Sequence, residues 1–83
     1  MRRKRAIALK YHPSMPAPFL CAKGSGDAAR RMESLAREHG VPVVPDQTLA
    51  GFLFPVDVGS FVPEEYWEIV ARLYILISEL VPE

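Results

Sequence analysis

A chain of 83 residues can close around only one small core, because a domain this short buries roughly 60% of the surface its unfolded chain exposes. Every large apolar side chain therefore competes for very little interior. The composition is still that of a folding chain: 49% hydrophobic and 24% charged residues, a globular balance rather than a disordered one. Ten basic and ten acidic residues cancel, so the chain as a whole has no pull toward nucleic acid or an anionic membrane. Cys21 is the single cysteine, which excludes an internal disulfide and implies no oxidising compartment. No long apolar stretch follows the basic N-terminus as a secretory signal requires. The longest apolar run, Leu73 to Ile77, is far short of the roughly 20 residues that span a bilayer. The expected location is the cytoplasm.

Local patterning predicts a single α/β domain over residues 6–81, preceded by a basic, flexible tip at residues 1–5. Ile7, Leu9 and Tyr11 alternate with Ala8 and Lys10, which predicts a strand from Ala6 to Tyr11. Pro13, Pro16 and Pro18 then fix φ and remove backbone donors, so this stretch is an irregular loop. Phe19 to Ala22 reads as a second strand. Lys23 to Asp27 turns the chain into a helix, with Ser25 as N-cap and Asp27 in the first turn. Ala28, Ala29, Met32, Leu35 and Ala36 recur at helical spacing, and Gly40 closes that helix. Val41 to Val44 reads as a third strand, placed at a sheet edge or strand start by Pro42. Asp46 caps a short helix carrying Leu49, Ala50, Phe52 and Leu53. Pro55 to Val62 is a loop, and Pro63 opens a last helix running to about Leu80. The expected architecture is a small mixed β-sheet of about three strands with three or so α-helices packed around it.

The order of these signatures resembles that of a known family, the C-terminal cytoplasmic domain of the FlhB export switch proteins of flagella and type III secretion. Ala6 to Tyr11 is similar to the family's "AVALKYD" strand. Pro16 to Gly24 is similar to "xAPxVVAKG", and Glu38 to Val44 to "EHGIPIVE". Leu49-Ala50 matches "PLAR" with Gly51 in place of the arginine, and Val58-Gly59, Val62-Pro63 and Tyr66 follow "VGxxIPxxxY" loosely. The resemblance runs over roughly residues 5–80. It implies a compact α/β domain that receives export substrates and helps to switch substrate class.

One departure bears on chemistry. Family members carry Asn-Pro-Thr-His before the first matched strand, and the chain cuts itself there when the asparagine amide closes on its own carbonyl. The matching positions here hold Met1, Arg2, Arg3 and Lys4, and no asparagine occurs anywhere in the 83 residues. The expectation is a stand-alone, uncleaved paralogue of the switch domain that replaces or competes with it.

Candidate interaction residues follow from the last helix and the proline loop. With Leu73 at zero and 100° per residue, Tyr66, Ile69, Val70, Leu76, Ile77 and Leu80 all fall within about 60° of it and form the expected core face. Trp67, Ala71, Tyr74 and Ile75 then lie on the side or back, where two aromatics and an isoleucine suggest a contact surface. The plainer alternative is that the Pro55–Val62 loop or the N-terminal segment covers them. Ala17, Pro18 and Phe19, in a loop pre-ordered by proline, are the second candidate for docking a partner, against the alternative of a simple connection between strands. Arg2, Arg3, Lys4 and Arg5 form a basic tip. It is either solvated or, at roughly 1 kcal/mol per basic residue near anionic lipid, weakly drawn to the inner-membrane surface.

No catalytic set is expected. Lys23-Gly24-Ser25-Gly26 precedes a helix, but the full phosphate-loop pattern is absent and a tight turn is the simpler reading. His12, His39 and Cys21 lack metal-ligand spacing, and Cys21 lies in an apolar strand where thiols are usually inert. The sequence thus predicts a non-enzymatic protein without cofactor or metal, and the family resemblance implies that its partners are export substrates and export-gate or switch components. A small regulator binding nucleic acid through its basic tip is the alternative. Zero net charge and the apolar helix face argue against it.

Overall fold

The computed structural model describes residues 3–80. Strands β1 (Arg5–Lys10) and β2 (Phe19–Ser25) pair antiparallel. Three α-helices follow: α1 (Asp27–Glu38), α2 (Gln47–Leu53) and α3 (Trp67–Leu80), the last entered through a single 3₁₀ turn at Glu64–Tyr66. The α/β class is as expected. The sheet differs in detail: among the described residues it has two strands, not about three. Val41 to Val44 forms no strand. Pro42 and Pro45 have no N–H to give a ladder, and they leave only two donors between them.

The β1–β2 ladder contains a shift that decides the core. Ala8 stands opposite Ala22 but Leu9 opposite Leu20, so Cys21 is an extra residue on β2. Such a bulge re-aims the side chains beyond it. Leu20 is driven to full burial, while Cys21 points outward and is exposed. β2 also runs to Ser25, three residues further than expected, because Lys23, Gly24 and Ser25 pair with Ile7, Ala6 and Arg5. Ser25 is therefore committed to the ladder and is not the cap of α1; that position falls to Gly26, without a side-chain cap.

The helices end where their sequences say they should. At the end of α1 the Gly40 N–H donates to the Arg37 carbonyl at 3.2 Å and the Val41 N–H to Ala36 at 2.8 Å. This double closure needs a left-handed residue, and Gly40 supplies it at φ 71°. α2 starts on Asp46, whose Oδ1 accepts the Leu49 N–H at 2.9 Å. Beyond its C-terminus, Lys23 Nζ donates to the carbonyls of Phe54 and Val56 at 2.8 and 2.9 Å, in the turn that follows the helix. Pro63 sits just ahead of the 3₁₀ turn, one position outside the helical residues rather than at their first.

The core is Leu49, Leu53, Val62 and Val70, with Ile7, Leu9, Val56, Tyr66, Leu73 and Tyr74 packed on it. Part of the basic N-terminal segment is in contact with the domain. Lys4 Nζ pairs with Glu33 at 2.7 Å, and the Lys4 carbonyl accepts the Gly26 N–H at 2.7 Å. Arg5 opens β1 with its guanidinium 4.8 Å over the Phe54 ring. Of the predicted basic tip, Arg3 is exposed, and Arg2 lies outside the described residues. No helix among those residues is long and apolar enough to cross a membrane.

α1 approaches β2 at Gly24, where an added Cβ would stand 2.9 Å from Met32 Sδ and 3.1 Å from the Ala28 Cβ. Gly24→Ala should therefore destabilise the domain by about 1–3 kcal/mol, as overpacking does, read as a lower urea midpoint with an unchanged slope.

Candidate functional site

α3 carries apolar residues around more of its circumference than this core can cover. Its buried or half-buried residues, with the turn before it, are Tyr66, Val70, Leu73, Tyr74 and Ile77. On 100° steps the centre of that stripe lies about 50° round from Leu73, toward Tyr74. Two side-chain contacts fix this rotation. Trp67 Nε1 donates to the Val62 carbonyl at 2.7 Å, and the Tyr74 ring lies against Tyr11, centroids 5.4 Å apart. Ile69 and Leu76, expected in the core face, are consequently each 45% exposed. The Leu80 side chain lies outside the described residues.

The predicted contact residues separate into two groups. Trp67, Ala71 and Ile75 are open to solvent, Ile75 at 60%. Tyr74 is not part of an open face, since it packs on the core cluster. Ala17 and Pro18 are buried, because the segment before the 3₁₀ turn lies over them: the Pro18 carbonyl accepts the Val62 N–H at 2.8 Å. Phe19 is half-buried and meets Phe61 edge to face, centroids 5.6 Å apart. Val62 thus joins the two predicted regions, bonded to Pro18 on one side and Trp67 on the other.

Sequence reasoning missed Phe61 and Phe52, which are 49% and 56% exposed. Phe52 stacks with Tyr66 at 6.4 Å. The available signal was an aromatic in the Pro55–Val62 loop of a chain with little core to spare. Exposed apolar side chains thus stand at Phe61, beside half-buried Phe19, and at Trp67, Ala71 and Ile75 of α3, the two groups joined beneath the surface by buried Val62, while an exposed Arg72–Glu68 pair at 2.7 Å marks the polar flank of α3. Such a surface suits protein–protein contact. The remaining candidates stand apart: His12 Nδ1 is 2.8 Å from Ser14 Oγ, and His39 ends α1.

Comparison with known proteins agrees with this architecture. A model of the FlhB HrpN YscU SpaS family matches residues 3–77. The flagellar biosynthetic protein FlhB of Helicobacter pylori is 35% identical over 79 residues, 94% of this chain and 22% of that protein. The secretion system apparatus protein SsaU of Salmonella typhimurium is 36% identical over 77 residues, 90% of this chain and 22% of that protein. The chain thus spans about a fifth of the length of these relatives. The crystal structure of a mutated EscU C-terminal domain superposes with a TM-score of 0.83 at 29% identity, covering 89% of this chain and 92% of that one.

Tyr74 and Ile75 are neighbours with opposite fates, which makes them a paired test. Tyr74→Ala should cost about 2 kcal/mol or more by opening the core, and Ile75→Ala less than about 0.5 kcal/mol, both read from chemical denaturation. Burial, and then the Cys21 thiol beside it, raises the Tyr74 phenol above its ordinary 10.0. The unfolded chain ionises first, so this contribution to stability is whole below pH 10 and lost as pH rises through the folded value. Tyr74→Phe should remove that part of the alkaline loss in a pH-dependent melting series.

Proposed function

We propose that this chain, which belongs to the FlhB HrpN YscU SpaS family, is a non-catalytic component of the bacterial flagellar or type III protein export apparatus. It acts as an uncleaved stand-in, or a competitor, for the substrate-specificity-switch domain in recognising export substrates. The observation that carries this reading is the open apolar face of α3: Trp67, Ala71 and Ile75 stay exposed although the domain has apolar surface enough to want them inside. A rigid helix that presents aromatic and branched side chains offers a partner contact area at little ordering cost. What supports the uncleaved reading is inventory. Asparagine-driven cleavage has no asparagine to start from within the 83 residues.

The partners are export substrates and gate or switch components of the apparatus. The location is the cytoplasmic face of the inner membrane. Arg3 is exposed and adds a weak attraction to anionic lipid. Lys4 and Arg5 are engaged by Glu33 and Phe54, which leaves less free charge for a nucleic-acid reading.

The test is complementation. In bacteria whose FlhB-type protein lacks its C-terminal domain, the separately expressed chain should restore secretion of flagellar proteins. A Trp67→Ala, Ile75→Ala double variant, folded and equally abundant, should lose most of that secretion. Full secretion by the double variant would remove the α3 face from the reading. A folded, abundant wild-type chain that restores nothing, and does not reduce secretion when expressed beside an intact switch protein, would remove both roles.

A further inference from the structure

The net charge of zero conceals a polarity. Residues 1–45 hold nine basic and three acidic residues, whereas residues 46–83 hold one and seven. The one base of the second half, Arg72, is held by Glu68 at 2.7 Å. Asp57, Glu64 and Glu65 are exposed, and among the described residues they form no ion pair. Lys23 Nζ is held by the Phe54 and Val56 carbonyls and pairs with none of them.

Glu65 lines a groove of about 360 Å³, and Asp57 and Glu64 are chain neighbours of two other lining residues, Val56 and Pro63. Most of the remaining wall is aromatic or proline: Phe52, Phe61, Tyr66, Pro55 and Pro63. Phe52 and Tyr66 stack at 6.4 Å with their ring planes 28° apart, and Phe52 and Phe61 are 56% and 49% exposed. Phe52 cannot turn inward, because Leu49 and Leu53 take the core side of α2 and Phe52 lies about 100° round from Leu53. The wall has few backbone donors to give. Pro55 and Pro63 have no N–H, and those of Val56, Ser60 and Tyr66 are donated to the carbonyls of Leu53, Asp57 and Pro63.

We propose that this groove binds a basic, proline-containing polypeptide segment in the polyproline II conformation. Its proline edges lie against Phe52, Phe61 and Tyr66, and an arginine or lysine lies beside Glu65 and Glu64. A strand would need a ladder that this wall cannot supply. One turn of helix, roughly 10 Å across and 5.4 Å high, already fills more than the groove. A polyproline II segment makes no internal hydrogen bonds and needs no ladder, and it is stiff before it docks, so little order is lost on binding. Aromatic-lined grooves take such segments, and a cation set among ring faces and free carboxylates is favoured by both. The groove uses none of Trp67, Ala71 and Ile75, so it is separate from the α3 face.

The test uses the whole chain, ¹⁵N-labelled, titrated with the capped peptide Arg-Pro-Leu-Pro-Pro-Leu-Pro-Arg. Two control peptides replace the arginines by glutamate or the prolines by glycine. The basic proline peptide should shift the Phe52, Phe61 and Tyr66 amides, and added salt should weaken it. Each control should bind about tenfold more weakly or not at all. A Glu64→Gln, Glu65→Gln double variant should lose about threefold or more in affinity, and a folded Phe52→Ala variant about tenfold. Equal binding of the glutamate peptide would overturn the charge selection, and equal binding of the glycine peptide the polyproline conformation. No shift of the three amides at millimolar peptide would overturn the site. Shifts at these amides that grow with protein concentration alone would overturn it too, by giving the groove to a second copy of the chain. None of these readouts depends on export, so this inference and the proposed function stand or fall separately.

Discussion

The fold depends on how β2 holds Leu20. The one-residue shift at Cys21 turns the Leu20 side chain fully inward and leaves its N–H and C=O facing away from β1, where Ser60 and Gly59 take them. Each such bond is worth only about 1 kcal/mol net, but leaving these buried groups unpaired would cost more. The irregular segment before α3 is thereby made an extension of the sheet. Val62 lands in the core, and its carbonyl receives the Trp67 indole. The phase of α3 follows: with Trp67 pinned, Tyr74 rolls toward Tyr11 and Ile75 away from the protein.

The sequence predicted the elements held by local chemistry. β1 alternates, α1 ends at a glycine in the left-handed conformation, and α2 begins on an aspartate that accepts its third N–H. These need only neighbours in the chain. The family resemblance was legible for a related reason, since it rests on short signatures in a fixed order. The features that were misread depend on distant partners. The length of β2 and the bulge inside it are set by β1, so neither Ser25's role nor Leu20's burial can be read from β2 alone. Val41 to Val44 has the composition of a strand, but its prolines and lack of a bonded neighbour leave it irregular.

The phase of α3 was the costliest ambiguity for the candidate site. Its apolar residues nearly encircle it, so a helical wheel locates the core face only loosely. Trp67, at the start of the helix, and Tyr11, from the far end of the chain, settle the angle. That rotation moves Tyr74 into the packed set and Ile69 and Leu76 out of it, while Ala71 and Ile75 stay exposed. The proline loop was misjudged through the same segment: Ala17 and Pro18 sit beneath the strand-like stretch that Leu20 recruits, and only Phe19 reaches the surface.

An apolar cavity of about 580 Å³ (the slot among α1, α2 and α3) and the open face of α3 lie on different sides of one helix. Leu73, Tyr74 and Ile77 line the slot, whereas Ala71 and Ile75 face solvent. Leu73 and Tyr74 also pack on the core cluster, so the slot is continuous with a core that an 83-residue chain leaves partly unfilled.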